Sequence, residues 1–289
     1  MSELLELDSL THVFKTRRGE VRAVDDVSLK LAEGEVLCLV GQSGSGKSTA
    51  AKIASGLLKP TEGAVRFDKG DIYAKGHGHK QRFKSFRRAV QYVHQDPYAS
   101  LNPIQDVMAT LSAPLFRHRL VRSRSEARSR VSDLLTQVGL TPPETFLTKF
   151  PHQMSGGQRQ RVAVARALTL DPRLIIADEA TSMLDVSIRI GLLGMLTKLR
   201  KELGVGFLYI THDLAMAKYF GREGNIAVMH VGRIVEFGPT LDVIADPQDP
   251  YTQALLEAIP EPDPDLARRK RAARLAASRA GQDKGVPAA

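Results

Sequence analysis

Tryptophan is absent from the 289 residues, aromatic residues of all kinds make up 6%, and there is one cysteine, Cys38. A single thiol can form neither an internal disulfide nor a cysteine-built metal cluster. Cys38 lies inside the apolar run Val36–Val40 and reads as a small core residue on a buried strand. Also missing is any apolar run approaching the roughly 18–20 residues that span a bilayer. Stretches such as Val36–Val40 and Leu174–Ala177 are strand-sized. The N-terminus carries Glu3, Glu6 and Asp8 among its leucines, which excludes a secretory signal there. The chain is therefore expected to stay in the cytoplasm.

Charge is unbalanced rather than scarce. Lys+Arg total 41 against Asp+Glu 32, a formal net charge of +9. Such an excess suits a polyanionic ligand, nucleic acid or an anionic membrane face, and does not choose among them. Part of it sits in Arg268–Arg274 and part in a local concentration at Lys80–Arg88. No recognised nucleic-acid-binding module accompanies these residues, so a nucleic-acid partner is not expected.

Leu4–Leu31 alternates like paired strands, broken by the polar turn Lys15–Glu20. Val36–Val40 has the continuous apolar character of a buried parallel strand. Ser48–Gly56 reads as a helix stopped by glycine. Val65–Phe67 and Ala89–Val93 read as strands separated by a basic, glycine-containing loop. From about 101 to 150 the pattern is helical, with Val131, Leu134, Leu135 and Val138 at helical spacing in Arg122–Val138. Strands return at Leu174–Ala177, Gly206–Thr211, Ile226–Met229 and Arg233–Phe237, with helices at Val186–Leu203 and Leu214–Tyr219. No internal repeat occurs. Strand–helix alternation with a helical insertion predicts an α/β fold, a mostly parallel sheet with helices on both faces and a separate helical lobe.

Gly41-Gln42-Ser43-Gly44-Ser45-Gly46-Lys47-Ser48-Thr49 fits the phosphate-loop pattern G-x-x-x-x-G-K-[ST]. Its glycines let the backbone wrap so that N–H groups converge on phosphate oxygens, at the start of a helix. Lys47 is expected to reach the β- and γ-phosphates and the Ser48 hydroxyl to ligate Mg²⁺. Such a cradle needs a metal-ordering acid and a base for water. The end of the run Leu174–Ala177 supplies both, Asp178 toward Mg²⁺ and Glu179 toward the attacking water. A second anion-binding helix start occurs at Ser155-Gly156-Gly157-Gln158, more than one nucleotide site requires.

With its flanks, Met154-Ser155-Gly156-Gly157-Gln158-Arg159-Gln160-Arg161 resembles the signature of the ABC ATPases. The resemblance implies a P-loop NTPase of ABC type: a mostly parallel core, an antiparallel β subdomain and a helical lobe. It covers residues 4–260, with the lobe inserted at about 101–160 and a family extension and basic tail at 240–289. It also implies roles. Ser155, Gly156, Gly157 and Gln158 cap the γ-phosphate of ATP on the opposite subunit. Gln95 matches the glutamine that contacts Mg²⁺ and senses the membrane partner. Asp185 matches the interface aspartate, and His212 the histidine near the γ-phosphate. Phe14 is the candidate for stacking on adenine. Departures are mild: Met154, Ala180 and Met183 replace commoner leucine, proline and alanine, and none removes a reacting group.

Asp249-Pro250-Tyr251-Thr252-Gln253-Ala254-Leu255-Leu256 looks like the branch that serves dipeptide, oligopeptide and nickel importers, also used by some oligosaccharide importers. So do Ala23-Val24-Asp25 and Asp96–Pro103. The resemblance implies a peripheral subunit on the cytoplasmic face of the membrane. It would pair with a second ATPase, the same or a sister chain, beneath two transmembrane permease subunits fed by an external solute-binding protein. A different class remains open at this point, an ABC ATPase of a soluble complex such as the carbon–phosphorus lyase system.

Overall fold

The computed structural model describes residues 3–17 and 19–258. The basic stretch Leu266–Ala280 lies outside the described residues, as do Ile259 and Pro260.

A hairpin opens the chain, β1 (Glu3–Thr16) and β2 (Gly19–Ala32), turning within the polar segment read from the sequence. Together with β4 (Glu62–Phe67) and β5 (Gly70–Asp71) it forms an antiparallel sheet ordered β2-β1-β4-β5. The second sheet holds β3 (Val36–Val40), β6 (Val90–Val93), β7 (Leu174–Asp178), β8 (Gly206–Thr211), β9 (Asn225–His230) and β10 (Arg233–Pro239). Its order is β10-β9-β3-β8-β7-β6. Only the edge strand β10 runs antiparallel to its neighbour.

The central strands are apolar throughout because both of their faces are covered. Val36, Cys38 and Val40 join one core with Phe207, Tyr209, Ile175 and Ile226. Leu37 and Leu39 point the other way, into a core shared with Leu5, Leu7, Leu29, Leu31 and Ile53. The first core is closed by helices α7 (Gly156–Leu168), α8 (Val186–Leu203) and α9 (Leu214–Phe220), the second by the antiparallel sheet and α1 (Lys47–Ala54). Cys38 is fully buried, its thiol 3.6 Å from the Ala217 carbonyl. Burial pushes that thiol's pKa up, so it stays protonated and inert.

The helical segment contains α3 (Pro97–Ser100), α4 (Val107–Arg117), α5 (Arg124–Gln137), α6 (Glu144–Leu147) and a 3₁₀ turn at Pro151–Gln153, leading into α7. Side chains start the longer helices. Asp106 accepts from Ala109 N at 2.7 Å and Ser123 from Glu126 N at 3.1 Å. Val131, Leu134 and Leu135 are buried, at the spacing read from the sequence. The described residues end in α10 (Thr240–Ala245) and α11 (Pro250–Glu257).

One expectation is corrected. The basic stretch 80–88, read as a loop, is the helix α2 (His79–Ala89). Phe83 and Phe86, three residues apart, turn one face inward and pack on Tyr73 and Phe67, with ring centroids 5.9 and 5.4 Å apart. Lys80, Lys84, Arg87 and Arg88 around them are exposed, and the density of charge masked a two-residue apolar stripe.

Candidate active site

The C-terminal ends of β3, β6, β7 and β8 converge at one edge of the parallel sheet, where open α/β sheets place their ligand crevice. The loop from β3 to α1 lies there. Gly41 has φ +151°, and a Cβ on it would stand 2.2 Å from the Met229 carbonyl oxygen. Gly46 has φ +104°, and a Cβ there would come within 2.1 Å of the Ala23 carbonyl oxygen. Both positions need glycine for conformation and for room. Gly44 (φ +85°) has open space around it, on the side left free for a ligand. Gly46→Ala is expected to destabilise the fold by about 2–3 kcal/mol, because strain and a backbone clash add. A thermal melt should show a Tm lowered by about 5–10 °C. An unchanged Tm would mean that the loop is not held as described.

Lys47 is buried against its own loop, its ammonium donating to the carbonyls of Gly41 and Gln42, each at 2.8 Å. Burial pulls its pKa below the ordinary lysine value, and the carboxylates of Glu179 and Asp178 partly restore it. Ser48, one residue on, donates from Oγ to Asp178 Oδ1 at 3.0 Å, across 130 positions of sequence. The other Asp178 oxygen accepts from the Tyr92 hydroxyl at 2.6 Å. Burial, followed by the Asp178 charge, pushes the Tyr92 phenol up, so it stays a donor.

Glu179 has φ +46°, a left-handed conformation that costs a non-glycine residue about 1–2 kcal/mol. Its amide donates to the Ile210 carbonyl at 3.0 Å, which continues the β7–β8 ladder past the bend. The bent backbone turns the carboxylate between two neighbours. Gln95 Nε2 donates to Oε2 at 2.9 Å, and His212 Nδ1 lies 3.3 Å from Oε1. Gln95 also reaches Ser182 Oγ at 3.4 Å. Arg189 braces the same turn, donating to the carbonyls of Leu184 (2.6 Å) and Ser182 (2.9 Å) and lying 3.7 Å from Asp213.

Lys47, Ser48, Gln95, Asp178, Glu179 and His212 thus form one connected cluster from four strand ends. Ser155–Gln158 does not join it. Ser155 caps α7, accepting from Gln158 N at 3.2 Å, while Gln158 returns an oxygen to Ser155 N at 3.0 Å. Gly157 lies against Ile188, with a Cβ there 2.7 Å from its side chain. Among the described residues no hydrogen bond links 155–158 to 41–49. Asp185 is exposed at the start of α8, with Met183 and Val186 62% and 64% exposed beside it. Phe14 sits on β1, exposed and edge-on to His12 at 4.5 Å.

Tyr92, which bonds Asp178, and Arg189, which braces the turn after Glu179, were not singled out from sequence. The only local signal was that Tyr92 lies on a strand, β6, three residues before Gln95. Among the described residues no group of three or more His, Cys, Asp or Glu could cage a metal. The adjacent oxygens of Ser48 and Asp178 suit a hard cation that brings water and phosphate as its remaining ligands, as Mg²⁺ does.

Residues 24–182 match the ABC transporter family, and residues 235–285 match the oligopeptide/dipeptide transporter C-terminal region. The oligopeptide transport ATP-binding protein OppF of Bacillus subtilis (strain 168) is 44% identical over 270 residues, 93% of this chain and 86% of that protein. The glutathione import ATP-binding protein GsiA of Pectobacterium atrosepticum is 42% identical over 275 residues, 92% of this chain and 43% of that protein. A solved dimeric ATP-binding cassette in a post-hydrolysis state, bound to ADP and Pi, superposes with a TM-score of 0.72 at 33% identity. That superposition covers 82% of this chain and 99% of the other. These matches do not favour the carbon–phosphorus lyase alternative. The chain belongs to the ABC transporter family, as an ATP-binding subunit carrying the C-terminal region of the oligopeptide/dipeptide transporters.

Proposed function

We propose that this subunit hydrolyses ATP to drive a peptide importer, paired with a second ATPase subunit beneath two permease subunits on the cytoplasmic face of the membrane. The observation that carries the catalytic half of this reading is Glu179, gripped from both sides by Gln95 and His212 one residue beyond Asp178. The triphosphate enters the 41–49 loop, where backbone N–H groups and Lys47 bind it, with Phe14 against the adenine. Ser48, Asp178 and the Gln95 amide oxygen are the groups that would hold Mg²⁺, whose charge offsets that of the β- and γ-phosphates. Glu179 takes a proton from water as its oxygen attacks the γ-phosphorus. The bond to the bridging oxygen breaks, giving ADP and Pi. His212 steadies Glu179 and faces the γ-phosphate.

The partners follow from unsatisfied surfaces. Ser155–Gln158 has no role toward its own phosphate loop, and the exposed apolar side chains around Asp185 suit burial against a second ATPase, whose loop the signature completes. On the side of Tyr92 and His94 a cleft of ≈ 500 Å³ is lined by Arg87, Arg117, Arg166, His94 and His118 and by no carboxylate. That lining suits a cytoplasmic permease segment presenting acidic groups. No helix among the described residues is long and apolar enough to cross a membrane. Peptide cargo is favoured over nickel or oligosaccharide by the C-terminal region and by the relatives' names.

Purification from native membranes in mild detergent tests this reading. Two multi-span subunits should co-purify, and ATPase activity should rise when peptide-loaded binding protein is added. Recovery with soluble enzymes alone would overturn it.

A further inference from the structure

Among the described residues, the C-terminal region reaches the phosphate loop at Tyr251. Tyr251, on the first turn of α11, accepts a hydrogen bond at 3.0 Å from the backbone amide of Gln42, 209 positions earlier. Its ring stacks on His230, at the end of β9, with centroids 3.8 Å apart and planes 15° from parallel. The helix start is itself fixed. Asp249 caps it by accepting from Tyr251 N at 2.8 Å, and Glu236 on β10 accepts from the amides of Gln248 (2.8 Å) and Asp249 (3.2 Å).

The amide that Tyr251 holds belongs to the same peptide unit as the Gly41 carbonyl. That carbonyl is one of the two loop oxygens to which Lys47 donates, at 2.8 Å. One rigid peptide plane is therefore held at its oxygen by the phosphate-loop lysine and at its N–H by the C-terminal tyrosine. The plane adjoins Gly41, whose backbone is the least restricted of any residue type. Without the tyrosine contact, rotation next to Gly41 moves the anchor of Lys47 and turns the loop entrance.

We propose that Tyr251 is a positioning residue for the phosphate loop, through which the C-terminal region sets the affinity for ATP. The proposal rests on the reading of this loop as the ATP site. The informative variant is Tyr251→Phe, which keeps the ring on His230 and removes only the oxygen. ATP affinity is measured by calorimetry on the purified full chain, with Tm in the absence of nucleotide and steady-state turnover alongside. Tyr251→Phe is expected to weaken ATP binding and raise KM by about three- to tenfold, the scale of one lost hydrogen bond. The nucleotide-free Tm and kcat should stay close to wild type, a split that a merely structural role would not produce. Glu236→Ala, which frees the helix start without touching the tyrosine, should move KM the same way. Unchanged affinity in Tyr251→Phe, with Lys47→Ala still abolishing binding, overturns the proposal and leaves the site reading intact. Unchanged affinity in Lys47→Ala removes the site reading and the proposal together.

Discussion

Glu179→Gln is expected to lower ATP turnover by about 10²–10³-fold while ATP affinity stays within about threefold of wild type. Glutamine has the same shape and keeps an oxygen for the Gln95 amide, 2.9 Å away in the native protein. It cannot accept the proton of the attacking water. In the proposed site binding rests on other groups, namely the loop amides, Lys47 and Ser48, none of which the substitution replaces. Removing the negative charge also removes a field acting on the Lys47 ammonium, whose pKa Glu179 holds up. That change is small beside the loss of the base. ATP that binds but does not turn over should leave the paired, nucleotide-loaded state populated. Size-exclusion chromatography with ATP should then show a dimer that wild type passes through only briefly. Turnover at the wild-type rate would exclude Glu179 as the base. Loss of binding would mean that the carboxylate holds nucleotide or metal rather than activating water.

The parts of this site legible in sequence are those whose chemistry is local in the chain. The loop 41–49 declares itself because its glycines, lysine and hydroxyl residues are contiguous, and the apolar strand before it supplies the context. Asp178 and Glu179 were readable as a pair at a strand end, though alone such a pair is a weak signal. Their connection to Ser48, Gln95 and His212 is a property of the parallel sheet, which gathers four strand ends at one edge. That arrangement could be expected once the strand pattern was recognised. Tyr92 and Arg189 were not legible, since each acts through one contact or a few backbone carbonyls and no spacing marks it. The bond from Gln42 to Tyr251 crosses 209 positions and involves a backbone amide, which leaves no trace in side-chain identity. Helix α2 was missed for a different reason. Its apolar face is two phenylalanines wide, so packing decided what the charge pattern concealed.

Ser155→Arg separates action within a chain from action across an interface. In the native chain Ser155 accepts from Gln158 N at 3.2 Å, and losing that cap costs about 1 kcal/mol, too little to unfold a domain of this size. The 41–49 loop has no hydrogen bond to Ser155 among the described residues, so ATP binding to the isolated chain should persist. Hydrolysis should nevertheless fall by about 10²-fold or more, because in the proposed dimer a charged, bulky side chain replaces the hydroxyl that would meet the partner's γ-phosphate. Ser155→Ala removes the same hydroxyl, cap and donor together, without adding charge or bulk, and should fall less. Mixing gives the decisive result. In a dimer of Ser155→Arg with Glu179→Gln, one site has an intact loop and base from the first chain and an intact signature from the second. The other site carries both defects. Random mixing makes half the dimers hybrid, so activity should return to about a quarter of wild type, although each variant alone is inactive. If signature and base served the same chain, each subunit of the hybrid would carry one defect and the mixture would stay as inactive as its components.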